Sequence, residues 1–258
     1  MSVLLVIPAR YESTRLPCKL LLAETGKPLI CHTLDAATAA CRRSVRFSGV
    51  LVATDHAEIL QAVNDYAARQ NLPARAVMTS PNHQSGTDRV AEAAFAADGA
   101  DVIINWQGDE PEMDAAAIVA LAEKMLARRE IPLATLGYPL SAAAAANPNV
   151  VKIVTGAAGG ALYFSRAAIP FDRDKKLTDG APYLGHCGVY AYRRDVLRQL
   201  VGLPPSRLEQ IERLEQLRAL ENGIAIYVHR LDRSPAKGID TADDYREFVS
   251  RVAAGRGR

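Results

Sequence analysis

No apolar run in the chain comes close to the roughly 18 residues that a membrane-spanning helix needs. After Met1 and Ser2 the sequence passes straight into a strand-like segment, with no charged stretch leading an apolar one. A protein that neither enters nor spans a membrane is expected. Charge of one sign is also lacking: 31 basic residues against 29 acidic leave a formal charge of +2, without the electrostatic footprint of a nucleic-acid binder. Cysteine is scarce, and Cys18, Cys31, Cys41 and Cys187 form no C-x-x-C pair. Their spacing suggests neither a disulfide framework nor a zinc site, and a reducing cytoplasm fits. Two nucleotide fingerprints are missing as well. There is no G-x-x-x-x-G-K-[ST] loop and no G-x-G-x-x-G after the first strand, which disfavours P-loop hydrolysis and dinucleotide redox chemistry. Serine and cysteine nucleophile elbows are absent too.

What is present is an ordinary globular composition, 49% hydrophobic and 23% charged over 258 residues, enough for one domain with a smaller lobe. Strand-like runs at Val3 to Pro8, Val50 to Ala53, Ala76 to Met78 and Val102 to Trp106 alternate with helix-like segments, which is the rhythm of an α/β fold. Pro28 can open a helix carrying Leu29, Ile30 and Leu34. Asp55 can cap one carrying Ile59, Leu60, Val63 and Ala67, and a third from Asp114 presents Ile118, Leu121 and Met125. In the second half, Val150 to Val154, Ala161 to Phe164 and Gly188 to Tyr192 lie too close together for helix crossovers, so antiparallel pairing in a smaller lobe, and hence a mixed sheet, is expected. Ala142 to Ala146 is locally repetitive, and the charged, Gly/Pro-punctuated stretch from Asp172 to Pro182 reads as a mobile excursion. Arg207 to Glu221 reads as one helix. Its apolar residues Leu208, Ile211, Leu214, Leu217 and Leu220 recur every three positions, so their stripe drifts round the axis and must touch more than one surface, either a second subunit or the other lobe.

Three segments can carry chemistry. The first strand breaks into A-R-Y-E-S-T-R-L-P-C-K, where Arg10, Arg15 and Lys19 repel one another unless water or an anion lies between them. Such a loop, at the carboxyl end of a strand, suits a polyanionic ligand, although a solvated basic loop has the same composition. The run Val102 to Trp106 leads into Q-G-D-E-P, placing Asp109 and Glu110 beyond the strand's end. Magnesium needs one or two carboxylates beside phosphate oxygens, which makes Asp109 the first choice of ligand. Asp240, in G-I-D-T-A-D-D, is either a second ligand brought close by Gly238 or the cap of the last helix, which Thr241 or Asp243 can also start. H-Q-S-G-T-D-R, from His83 to Arg89, offers free backbone N–H groups and a flexible Gly86 to a base or ribose, and is equally an ordinary capping sequence. Arg166, His186, Tyr190, Glu209 and Glu212 form a possible polar cluster whose convergence the sequence does not establish, and His186 alone is more often structural.

Taken in order, these segments resemble a known family. I-P-A-R-Y-x-S-T-R-L-P-x-K at Ile7, A-T-D-H at Ala53, H-Q-S-G-T-D-R at His83, Q-G-D-E-P at Gln107, N-P-N-x-V-K at Asn147, Y-F-S-R-x-x-I-P at Tyr163, H-x-G-x-Y at His186, L-E-x-I-E-x-L-E-Q-L-R at Leu208 and G-x-D-T-x-D-D at Gly238 are similar to the 3-deoxy-manno-octulosonate cytidylyltransferases, collinearly over nearly the whole chain. The resemblance implies a nucleotide-diphospho-sugar transferase-like (GT-A-like) α/β/α fold with a mixed, mainly parallel sheet and a smaller antiparallel dimerisation lobe at about 138–205. It implies a magnesium-dependent cytoplasmic homodimer that joins CTP to the sugar acid Kdo for lipopolysaccharide assembly. Ala9, Arg10, Arg15, Lys19, Gln84, Ser85, Gly86, Arg89 and Gln107 then face the nucleotide, with Arg15, Lys19 and Asp109 catalytic and Asp109 and Asp240 holding magnesium. Gln107, Arg166, His186, Tyr190, Glu209 and Glu212 face the sugar acid. Rival readings are a cytidylyltransferase for 8-amino-Kdo or a sialic acid, and a non-catalytic nucleotide-binding regulator.

The chain departs from the family pattern at L-P-C-K-L-L, where L-P-G-K-P-L is usual, and at Trp106 and Cys187, where aliphatic residues are typical. Glycine permits a positive φ that costs cysteine energy, so the loop at Cys18 either differs slightly or never needs that conformation. Cys18 near phosphates and Lys19 is either a reactive thiol or an inert loop residue.

Overall fold

The structure is a computed structural model that describes residues 1–13, 15–97, 99–174, 177 and 182–256. By their contacts the residues fall into two compact units, Met1–Ala120 with Ala236–Arg258, and Leu121–Pro235. The lobe expected at about 138–205 lies within the second.

In the first unit, β1 (Val3–Ala9) is buried at every position, and so is β4 (Val102–Asn105). Central parallel strands are covered on both faces, which is why both read as unbroken apolar runs rather than alternating ones. β2 (Phe47–Thr54) lies parallel to β1 on one side and carries β3 (Ala74–Met78) beyond it, while β4 lies parallel on the other side of β1. The strands β1, β2 and β3 thus step outward in one direction, and the chain then returns past β1 to lay down β4. The direction reverses between β1 and β4, and at such a switch point the loops leaving the carboxyl ends of the two strands open a crevice.

Helices α1 (Leu29–Arg42), α2 (Ala57–Gln70), α3 (Gly86–Ala96) and α9 (Ala242–Arg256) belong to this unit, and α4 (Ala115–Ala127) crosses its boundary. α1 follows Pro28, with Leu29, Ile30 and Leu34 fully buried. α2 is capped by His56, not by Asp55: the His56 Nδ1 accepts from the Glu58 N–H at 3.3 Å. The Asp55 carboxylate is unavailable as a cap because it accepts from the Tyr11 backbone and from Arg89. Ile59, Val63 and Ala67 are buried as expected, and Leu60 is half-buried. Asp114 accepts from the Ala116 N–H at 2.8 Å and so starts α4, on which Ile118, Leu121 and Met125 are fully buried.

The second unit holds β5 (Leu133–Leu140), paired antiparallel with β8 (Tyr183–Arg193) and parallel with β9 (Ile226–Arg230). β6 (Lys152–Thr155) pairs antiparallel with β7 (Ala161–Ser165) and with β8. The antiparallel pairing expected here is present. Short helices α5 (Ala142–Ala145) and α6 (Arg194–Val201) complete the connections. The segment read as one helix over Arg207 to Glu221 is two, α7 (Arg207–Glu212) and α8 (Gln216–Glu221), separated by Arg213 at φ 54°. A stripe of period three cannot stay on one face of a helix, and the break resolves the conflict. After it Leu214 and Leu217 are buried, while Ile211 before it stays 65% exposed. Of the excursion from Asp172 to Pro182, residues 175, 176 and 178–181 lie outside the described residues.

Candidate functional site

The loop leaving β1 ends in a single 3-10 turn, Lys19–Leu21, entered through Cys18 at φ 52°, ψ 27°. The left-handed conformation that glycine adopts freely is therefore required here and is adopted by cysteine. The expectation that the loop differs or dispenses with it is corrected. That turn aims Lys19 at the end of β4. Its Nζ donates to the Asp109 carboxylate, to the Ile239 carbonyl at 3.0 Å and to Asp240 Oδ1 at 3.1 Å. Arg15, much more exposed than Lys19, reaches the same Asp240 oxygen at 3.1 Å.

Backbone contacts fix these acids in place. A side chain on Gly108 would sit 3.0 Å from the Pro8 carbonyl and 3.3 Å from Ile30, so only glycine lets the loop after β4 pass this close to β1. The Ile239 N–H donates to the Asp109 carbonyl at 2.9 Å. At Gly238 a Cβ would meet nothing closer than 3.5 Å, so the tight approach expected there is absent. The last helix is capped by Thr241, whose Oγ1 accepts from the Asp244 N–H at 3.2 Å while the Asp244 carboxylate accepts from the Thr241 N–H at 2.8 Å. Asp240 is not the cap, and its carboxylate is free to meet the cations.

Beside the pair, Glu110 Oε2 is buried without a hydrogen-bond partner. Burial, and then the nearby Asp109 and Asp240 charges, push its carboxyl up to about 8, with Lys19 opposing. Among the described residues no group of three or more His, Cys, Asp or Glu is arranged to hold a metal. Asp109 and Asp240 nevertheless converge on one cationic point, and two acids suit magnesium when phosphate oxygens supply other ligands. A cleft of about 250 Å³ opens here, lined by Pro8, Arg10, Ser13, Lys19, Gly86, Gln107 and Asp109 among others.

The remaining nucleotide candidates lie round this cleft or just behind it. Ala9 is buried at the end of β1. Arg10 is exposed and donates to the His83 carbonyl at 3.2 Å. Gln84 is exposed and donates to the Asn82 carbonyl at 3.2 Å. Ser85 and Asp88 form the capping box of α3, and Gly86 packs beside Pro8. Gln107 is half-buried, with Nε2 3.5 Å from Asn105 Oδ1. Arg89 is fully buried and held by Asp55 and Thr79. Sequence reasoning gave Asp55 no part beyond a cap; the signal was an acid at the carboxyl end of a central strand, the same placement that marks Asp109.

In the second unit, two pairs of the sugar-acid candidates come together. The rings of His186 and Tyr190 lie 5.4 Å apart along β8, with Phe164 5.1 Å from His186. Burial pushes the His186 imidazole down to about 3, so it is neutral at physiological pH. Arg166 and Glu212 meet as well: Glu212 accepts from the Arg166 N–H at 3.0 Å and from the Ser165 hydroxyl at 2.6 Å, and the Arg166 Nε donates to the Glu212 carbonyl at 2.7 Å. Glu209 is committed to Arg218, at 2.8 Å, and to the Ser206 N–H, at 2.9 Å. Lys152, the last residue of the N-P-N-x-V-K motif and given no role from the sequence, is fully buried and donates to the Asn147, Val150 and Arg166 carbonyls.

Comparison with known proteins places this geometry. A family model of cytidylyltransferases matches residues 4–226. The 3-deoxy-manno-octulosonate cytidylyltransferase of Methylococcus capsulatus (strain Bath) is 46% identical over 98% of this chain and 97% of its own length. A solved structure of CMP:2-keto-3-deoxy-manno-octonic acid synthetase complexed with CTP matches with a TM-score of 0.89 at 39% identity, covering 99% of this chain and all of that one. A cytidylyltransferase from Leptospira borgpetersenii shares the fold at 17% identity, with a TM-score of 0.62 over 98% of this chain and 87% of that one. The likeness to the first two runs from end to end, through the crevice and both units, and the chain belongs to the 3-deoxy-manno-octulosonate cytidylyltransferase family.

Proposed function

We propose that this chain transfers the cytidylyl group of CTP to the anomeric hydroxyl of 3-deoxy-D-manno-octulosonate, giving CMP-Kdo and pyrophosphate. The observation that carries the reading is Lys19, drawn between Asp109 and Asp240 at the β1/β4 switch point of a chain 46% identical to a 3-deoxy-manno-octulosonate cytidylyltransferase. The sugar hydroxyl attacks the α-phosphorus, a new oxygen–phosphorus bond forms, and the bond from the α-phosphorus to its bridging oxygen breaks. Pyrophosphate leaves with that electron pair, and the hydroxyl proton passes to solvent. Nucleophile and electrophile both belong to anions, so their mutual repulsion must be offset before they meet. Arg10, Arg15 and Lys19 supply that offset at the triphosphate and at the charge that develops on pyrophosphate. Asp109 and Asp240 are the residues that fit magnesium, which when bound adds a Lewis acid to the same phosphate oxygens. No covalent intermediate on the protein is needed.

In the second unit the sugar acid is assigned to the neighbouring rings of His186 and Tyr190 and to Arg166, the one cation of the set, with Glu212 braced against Arg166 and Glu209 held by Arg218. The enzyme works in the cytoplasm, where CTP is made, as a homodimer feeding lipopolysaccharide assembly. Among the described residues no helix is long and apolar enough to cross a membrane. Sedimentation velocity tests the dimer, expected at twice 27.8 kDa.

Pyrophosphate release from CTP, measured with Kdo, 8-amino-Kdo and a sialic acid and with or without EDTA, tests the whole reading. Kdo should give the highest kcat/KM, and EDTA should abolish turnover. Higher kcat/KM with another acid reassigns the substrate, and no release with any acid makes the chain a nucleotide-binding regulator. Asp109→Asn should fold normally and lose about two orders of magnitude in turnover. Unchanged turnover in the folded variant removes Asp109 from the site.

A further inference from the structure

We infer that Asp55 and Arg89 are a positioning pair for the nucleotide, a buried clasp that ties the β1 loop to the start of α3, so that Arg89 acts through Asp55 and does not touch the ligand. The inference rests on the cytidylyltransferase reading above and deepens it.

Arg89 was the natural candidate for a phosphate ligand, being basic and one turn into a helix that opens at the cleft. Its surroundings say otherwise. The side chain is fully buried. One terminal nitrogen donates to Asp55 Oδ2 at 2.8 Å and the other to Thr79 Oγ1 at 2.6 Å. Thr79 is in turn fixed to the end of β2, donating through Oγ1 and through its N–H to the Thr54 carbonyl at 3.0 and 2.8 Å. The Arg89 Nε–H has no hydrogen-bond partner among the described residues but is buried, and Arg89 borders the neighbouring pocket with Asp55, Tyr11 and His56 rather than the cleft of Lys19 and Asp109.

Asp55 completes the connection. Its second oxygen accepts from the Tyr11 N–H at 3.0 Å, two residues past the end of β1. The Tyr11 ring stacks on His56, with centroids 3.6 Å apart and planes 17° from parallel. Arg10, the residue between, donates to the His83 carbonyl on the approach to α3. The first turn of the basic loop is therefore held to the end of β2 by Asp55 and to the segment before α3 by Arg10, and Arg89 joins Asp55 to α3 itself. Where that loop begins decides where Arg15 and Lys19 finish. Arg10, Ser13 and Lys19 on one side of the cleft and Gly86 on the other thus trace back to one carboxylate that does not line it.

The test reads CTP affinity by calorimetry alongside kcat and KM. Asp55→Asn should raise the Kd and KM for CTP about five- to twentyfold while kcat at saturating CTP and the KM for the sugar acid stay within about twofold. Arg89→Gln should match it, and the double variant should be no worse than either single one, because the two residues form one unit. Arg89→Lys, which keeps the charge beside Asp55, should recover most of the affinity. If the double variant multiplies the two losses, Arg89 contacts the nucleotide directly and the inference falls. Should Asp55→Asn fail to fold, Tyr11→Pro removes the N–H that Asp55 accepts, leaves the buried pair intact and should still raise the Kd for CTP at least threefold by freeing the loop; an unchanged Kd overturns the clasp. Wild-type protein that binds no CTP defeats the cytidylyltransferase reading itself, whereas wild type that turns over with an unaltered Asp55→Asn variant defeats only this inference.

Discussion

Cys18 occupies a backbone conformation that its Cβ opposes, and it does so one residue before Lys19. For an L-residue the left-handed region costs about 1–2 kcal/mol, which glycine escapes. Glycine also loosens the unfolded chain, returning about 0.4–1 kcal/mol of that gain. Cys18→Gly should therefore stabilise by about 0.5–1 kcal/mol and raise the melting temperature by about 1–4 °C, read by calorimetry. Cys18→Ala is the control, since it removes the thiol but keeps the Cβ, and it should melt no higher than wild type. Equal melting of the two variants would mean that the thiol and its neighbour Tyr11, not the backbone, set the stability of this turn. The sequence showed the departure from glycine but not its consequence. Only the dihedral angle reveals that the loop keeps the glycine conformation and bears the cost.

A kink in one strand organises the second unit's candidate residues. Pairing of β5 with β8 runs Thr135 against Tyr190 and then Leu136 against Cys187, so Gly188 and Val189 form a bulge between them. Bulges re-aim side chains, and here His186 and Tyr190 stay on the same half-buried face. Thr135, fully buried, fills the bulge: its Oγ1 lies 2.8 Å from the Val189 carbonyl, 3.2 Å from the Cys187 carbonyl and 3.0 Å from His186 Nε2. Thr135→Val keeps the shape and takes the single hydroxyl proton from the Val189 carbonyl, its nearest acceptor, which should cost about 1–3 kcal/mol in urea unfolding, while Thr135→Ser should recover most of it. Loss of less than about 0.5 kcal/mol in the valine variant would show that the bulge needs no hydroxyl. None of this was legible beforehand. β5 and β9 were not foreseen, because a strand recognised by its own apolar run says nothing about its partner, and a bulge is visible only once the partner is known. By contrast β1 and β4 were plain, since central parallel strands announce themselves as uninterrupted apolar runs. The drifting stripe over Arg207 to Glu221 was legible too, as a conflict, though not its resolution through Arg213.

On the scale of the whole molecule, sequence order carried the crevice well and the buried charges poorly. The basic loop after β1 and the acids after β4 followed from strand ends and topology, and Asp240 joined them once Thr241 proved to be the cap. What sequence could not rank was burial: whether Arg89 faces ligand or core, and whether His186 titrates. His186 decides how the molecule responds to acid. Burial holds its folded imidazole down near about 3, against 6.5 for the ordinary group. Below pH 6.5 the unfolded chain takes up a proton there that the folded one refuses, so acidification favours unfolding, and stability returns as pH rises through 6.5. Between pH 7.5 and 5 this one group should remove about 1–2 kcal/mol. His186→Gln still has a side-chain amide to set against Thr135 but has no titrating proton. The difference in unfolding free energy between wild type and variant should be flat above pH 7.5 and move against wild type by that amount at pH 5. Parallel pH profiles for the two proteins would show that the ring is protonated as readily folded as unfolded, and that the aromatic row on β8 is open to water.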